Sequence, residues 1–165
     1  MTEVTGAQVE VEVVVDNDPA QMWDLVTDVA RIGEWSPECV GGTWLDGASA
    51  RPGARFEGRN AFANGFRSTA QCVVTQAVPA SVFEWVVLDP SGRLDRPGST
   101  WRYELVPVGA RGQTRVRHRF VHGPGDTGLR RGMEGSPDEA AAVLAERLAT
   151  LGANMTATIE RMAGS

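Results

Sequence analysis

Between residues 39 and 122 the chain breaks into extended runs separated by short turn signals, and a single long amphipathic helix pattern follows them. That order limits the fold more than any other feature. The runs are 39–46, 54–63, 66–77, 82–89, 99–107 and 114–122. Between them stand DGASARPG, Asn64-Gly65, Pro79-Ala80, DPSGRLDRPG and VGARGQ. Connections this short force neighbouring strands to run antiparallel. Asn64-Gly65 between two extended runs predicts a tight hairpin with a type I′ turn, which needs positive φ at both central positions. The clearest strand is TRVRHRFVHG, 114–123, where Val116, His118, Phe120 and His122 share one face and Arg115, Arg117 and Arg119 the other. Such alternation marks a strand with one dry and one wet face.

The flanking segments complete the layout. QVEVEVVVD, 8–16, reads as a first strand. In the next stretch Asp18 is placed to cap a helix, Pro19 suits its first position and Gln21 stands where a capping box needs it. Met22, Leu25, Val26 and Val29 follow helical spacing; a second short helix, or a continuation, runs to about Gly33 before Pro37. Residues 123–135 read as a Gly-rich loop, either a mobile lid or a passive connector. Ser136 and Glu139 then form a capping-box pattern, and Leu144, Leu148, Leu151, Met155, Ile159 and Met162 keep one helical face apolar. About 27 residues of helix, interrupted only by Gly152, would extend roughly 40 Å. A curved antiparallel sheet of about seven strands with this helix across its concave face buries both apolar surfaces. The expectation is an α+β fold in one domain, residues 1–165.

Composition removes several classes of function. All 16 basic residues are Arg. Without Lys there is no side-chain Schiff base, no covalent pyridoxal phosphate and no Walker-type phosphate loop. No cofactor is expected. A net charge of −5 argues against nucleic acid as a partner, since phosphate binding draws on excess basic charge. The VVV run at 13–15 is too short to span a bilayer or to serve as a signal sequence, so no stable membrane insertion and a cytoplasmic location are expected. Cys39 and Cys72 are expected as free thiols, and no metal-ligand spacing surrounds them.

Four segments are similar to a known family. DPAQMWDLVTDVARIGEWSPE (18–38), PGARFEGRN (52–60), GSTWRYELVP (98–107) and TRVRHRF (114–120), with the C-terminal helix, resemble the START and birch-pollen-allergen-like (SRPBCC) superfamily. Within it they resemble the polyketide cyclase/dehydrase and lipid-transport family, over about residues 8–163. The resemblance implies a helix-grip fold, with a cavity between sheet and helix that takes one apolar or aromatic small molecule. It implies no single function, since the superfamily contains carriers as well as aromatase/cyclases.

Alternation then sorts the side chains. Trp101 and Tyr103 share a face, as do Phe56, Asn60 and Phe62; Trp85 joins Phe83, and Cys72 joins Ala70 and Val74. With His118 and Phe120 from the last strand and Leu151 and Met155 from the helix, these residues are the expected ligand lining. Each also has a plain reading as core. His118, Tyr103 and Asn60 are the candidates for catalysis: His118 or Tyr103 to move a proton, and Asn60 to hold an enolate oxygen. Structurally, His118 would hydrogen-bond Tyr103 or Asn60, Asn60 would bond nearby backbone, and His122 would sit at the cavity rim or in solvent. The preferred reading is a carrier or sensor of a small hydrophobic or aromatic, lipid- or polyketide-like molecule. The alternatives are a cyclase, aromatase or dehydratase using the same cavity, and an accessory protein that binds a partner through its Arg-rich face. A homo-oligomer is compatible with the sequence.

Overall fold

The computed structural model describes residues 2–165. Its strands are β1 (Gln8–Val15), β2 (Cys39–Trp44), β3 (Arg55–Ala61), β4 (Arg67–Val78), β5 (Val82–Val87), β6 (Ser99–Val108) and β7 (Gln113–His122). They form one antiparallel sheet in the order β1-β7-β6-β5-β4-β3-β2. The helices are α1 (Pro19–Val26), α2 (Gly128–Gly135) and α3 (Ala140–Ala163), with a 3-10 segment at Val29–Glu34. The predicted helix-grip architecture is the observed one: the curved sheet wraps α3, and short helices follow β1.

The start of α1 forms as its residues require. The Asp18 carboxylate accepts from the Gln21 backbone N–H at 2.8 Å, and the Asp18 N–H donates to the Gln21 amide oxygen at 2.9 Å. Val29–Glu34 then carries the chain to the far edge of the sheet, where it lies directly on β2. A Cβ at Gly42 would collide with the Val29 carbonyl, so glycine permits that approach.

Three local expectations fail. The hairpin after β3 forms, but its turn is not type I′: Gly65 has φ of +87° while Asn64 is not left-handed. Phe62 accepts from the Gly65 N–H and donates to the Phe66 carbonyl, which makes a longer loop closed by a left-handed glycine. Residues 123–135 are not simply a loop. They contain α2, capped by the Thr127 hydroxyl, which accepts from the Arg130 N–H at 3.1 Å. The Ser136–Glu139 capping box is absent; Pro137–Glu139 makes a 3-10 turn, and α3 begins at Ala140 with 24 residues.

The outer face of the sheet is a lattice of ion pairs. Arg102 meets Glu84 at 3.1 Å and Glu104 at 2.8 Å, while Arg115 and Arg117 pair with Glu12. The inner face carries the core. Met22, Ile159, Met162 and Val116 are fully enclosed there with Phe83, Trp35 and Val74. A smaller cluster joins Phe120, Leu151 and Met155 to Trp101 and Leu148. No helix among the described residues is long and apolar enough to cross a membrane.

Candidate functional site in the grip

α3 lies against β1 and the short helices, near one edge of the sheet. Toward the opposite edge the inner face is less completely covered. Trp85, Trp101, Asn60 and Phe62 all face inward and all remain partly exposed. Behind them Phe56, Cys72, Tyr103, His118, Phe120, Leu151 and Met155 are buried. Strand register explains this grouping. Trp85 pairs with Trp101, Trp101 with Phe120, and Tyr103 with His118 across β5, β6 and β7.

Aromatic rings make up this part of the inner face. The His118 imidazole stacks on Tyr103, with centroids 3.7 Å apart and planes at 12°. Trp101 and Trp85 stand 5.5 and 6.2 Å from it. Trp85 and Trp101 are nearly parallel, at 5° and 6.3 Å. Phe56 packs on Trp44 and Trp85 and is part of the core. Two depressions elsewhere, of about 310 and 340 Å³, lie at residues 135–139 and between the end of β1 and the end of α3; no candidate residue lines either.

His118 corrects one expectation. It hydrogen-bonds neither Tyr103 nor Asn60: both ring nitrogens are buried and unpartnered. Burial alone pushes its pKa down to about 3, so the ring is neutral at physiological pH. Burial also raises the Tyr103 hydroxyl and the Cys72 thiol well above their usual ranges. The floor is therefore uncharged. Asn60 donates to the Ser68 hydroxyl at a long 3.4 Å, across the β3–β4 pair, and not to backbone.

His122 is neither at the rim nor in solvent; it is 3% exposed. Its Nδ1 lies 2.8 Å from the Gly123 carbonyl and its Nε2 2.7 Å from the Thr127 hydroxyl. Nδ1–H therefore donates to Gly123, and Nε2 accepts from the Thr127 O–H. Thr127 Oγ1 also caps α2, so His122 is a structural tie between β7 and α2.

Sequence reasoning missed the clasp at the open side. Arg147 of α3 donates twice to Glu38, each bond 2.8 Å, and its guanidinium lies 5.6 Å from the Phe62 ring. Glu38 immediately precedes β2, the edge strand farthest from β1, so this pair joins the helix to the opposite side of the grip. One signal was available: Arg147 stands three residues after Leu144 and four before Leu151, on the flank of the apolar stripe. Among the described residues, no group of three or more His, Cys, Asp or Glu is placed to hold a metal ion.

Solved structures share this architecture. The polyketide-cyclase-like protein Cgl2372 from Corynebacterium glutamicum is 25% identical, with TM-score 0.62 over 95% of this chain and 87% of that one. The Zhui aromatase/cyclase from Streptomyces sp. R1128 is 17% identical, with TM-score 0.69 over 96% and 92%. The di-domain aromatase/cyclase StfQ of the steffimycin biosynthetic pathway is 12% identical, with TM-score 0.69; the match spans 95% of this chain and 49% of StfQ. No curated protein matches the chain significantly. The family model described as polyketide cyclase/dehydrase and lipid transport matches residues 6–151, and on that match the chain belongs to this family.

Proposed function

We propose that the protein binds one small hydrophobic or aromatic molecule, lipid- or polyketide-like, in the cleft between sheet and α3, as a carrier or sensor. The observation that carries this reading is the inward-facing pair Trp85 and Trp101, partly exposed together with Asn60 and Phe62 beside the buried core. Apolar surface of this kind is covered in most domains, and where it is left open and concave it favours a ligand. Binding is favoured over turnover by the charge state of the floor. General acid–base catalysis works best with a group poised near the operating pH. Here burial moves His118, Tyr103 and Cys72 away from neutrality, each toward its uncharged form.

The test has two parts. Organic extraction of the natively purified protein, with mass spectrometry against a lysate blank, looks for a bound compound. Titration with the uncharged probe N-phenyl-1-naphthylamine looks for energy transfer from tryptophan. A stoichiometric apolar compound, or saturable probe binding weakened in Trp101→Ala, is the expected result. Absence of both sinks the proposal.

A further inference from the structure

The proposed cleft has one polar feature that its apolar walls do not explain. A neutral imidazole carries one N–H donor and one lone-pair acceptor. In His118 both are unsatisfied, and each nitrogen exposes less than 1 Å², so water does not reach them. Leaving buried polar atoms unpaired is costly, which is why native proteins seldom do it. The ring is also fixed in place by its stack on Tyr103. Its nitrogens thus hold a defined position at the back of the aromatic floor.

The charges around the cleft add a second constraint. Among the polar groups of the inner face, Tyr103 stacks on His118, and burial holds its hydroxyl and the Cys39 and Cys72 thiols toward their protonated forms. Arg147, whose guanidinium lies 5.6 Å from the Phe62 ring, is already held in two hydrogen bonds by Glu38. Arg161, farther along α3, donates to the Trp35 carbonyl. An anionic group brought to this floor would lose its water without meeting a free counter-charge, which disfavours it. A hydroxyl group meets neither penalty, and being both donor and acceptor it can engage either imidazole nitrogen.

We propose that His118 is the specificity determinant of the cleft, reading a hydroxyl group on an otherwise uncharged aromatic ligand. This rests on the cleft being the ligand site. The ligand reaches the nitrogens by displacing one of the rings that shield them. Trp101 is the nearer of the two partly exposed rings beside His118, at 5.5 Å against 6.2 Å for Trp85; it packs on Phe120, and its indole N–H donates to the Ser99 hydroxyl at 3.1 Å. A site that hydrogen-bonds a ligand hydroxyl discriminates strongly against the analogue lacking it, because its own polar atoms are then left unpaired.

The experiment compares three molecules of one shape: 2-naphthol, 2-naphthoate and 2-methylnaphthalene, each by displacement of N-phenyl-1-naphthylamine at pH 7.5. The expected result is that 2-naphthol binds at least about tenfold tighter than either of the others. In His118→Leu the advantage over 2-methylnaphthalene disappears, each affinity being referred to the probe's own Kd in that variant. In His118→Gln, which still hydrogen-bonds without charge, part of the advantage survives. Naphthoate binding as tightly as naphthol overturns the proposal, as does a preference undiminished in His118→Leu. If the probe binds but 2-naphthol does not displace it, the specificity assignment falls and the cleft remains a binding site. If the probe itself does not bind, both readings fall.

Discussion

Replacing His118 by Leu should stabilise the protein and flatten its response to acid. The two residues have similar volume, so the substitution leaves little void. It removes two unsatisfied buried nitrogens, worth about 1–3 kcal/mol each. Against this stands the lost stack on Tyr103, worth about 0.5–1.5 kcal/mol. The net gain at pH 7 is about 0.5–5.5 kcal/mol, at about 2–4 °C in Tm per kcal/mol for a chain of this size. The pH dependence gives a sharper test. Folded His118 titrates at about 3, against 6.5 for an unperturbed imidazole. Between those values the unfolded chain binds the proton and the folded chain does not. Stability is therefore full above pH 6.5 and is lost as pH falls toward 3. At pH 5 the loss from this one group is about 2 kcal/mol. The assay is urea unfolding of wild type and His118→Leu at pH 7 and pH 5. The variant should be more stable at pH 7, and the gap should widen at pH 5. A less stable variant with a parallel pH dependence would refute the claim that this imidazole is buried, neutral and unpaired.

Other substitutions test the frame around the cleft. Arg147→Ala and Glu38→Gln should each cost roughly 1 kcal/mol in urea unfolding, because the pair is bidentate but only partly buried; a double-mutant cycle should return most of that as coupling. Thr127→Ala removes the cap of α2 and the partner of His122 together, and should cost about 1–2 kcal/mol, with hydrogen exchange accelerated first in 128–135. Gly42→Ala should destabilise by about 2 kcal/mol or more through its clash with the Val29 carbonyl, read as a fall in thermal midpoint. Ile159→Ala, at a fully enclosed position, should cost about 2–5 kcal/mol in the same assay.

What the sequence disclosed depended on the range of each interaction. Strands with one apolar face announced themselves, because period-two alternation is a property of a single segment; β7 is the clearest case, and its inward set faces the core as expected. The cap of α1 was equally legible, since Asp18 and Gln21 satisfy each other within one turn. The similar pattern at Ser136 and Glu139 misled, because the 3-10 turn through Pro137 and the preceding α2 set the backbone there. α2 itself was hidden by its glycines, although Thr127 is an ordinary N-cap residue.

Alternation placed His118 and Tyr103 on one face, but it could not distinguish a hydrogen bond between them from a stack. That choice depends on ring orientation, which register alone leaves free. His122 had the right parity and an unexpected role, because its two partners come from the turn that follows β7. The Arg147–Glu38 clasp joins residues 109 positions apart, a distance at which a single sequence carries no pairing signal.

The most direct test of the account is to follow the His118 ring itself while 2-naphthol is added. With only two histidines in the chain, long-range ¹H–¹⁵N spectra of the imidazoles contain two spin systems, which His118→Leu assigns. The expected result is a neutral His118 ring whose ¹⁵N shifts move saturably with 2-naphthol, while those of His122 stay constant. Saturable binding that leaves the His118 nitrogens unmoved, or moves those of His122 instead, would contradict it.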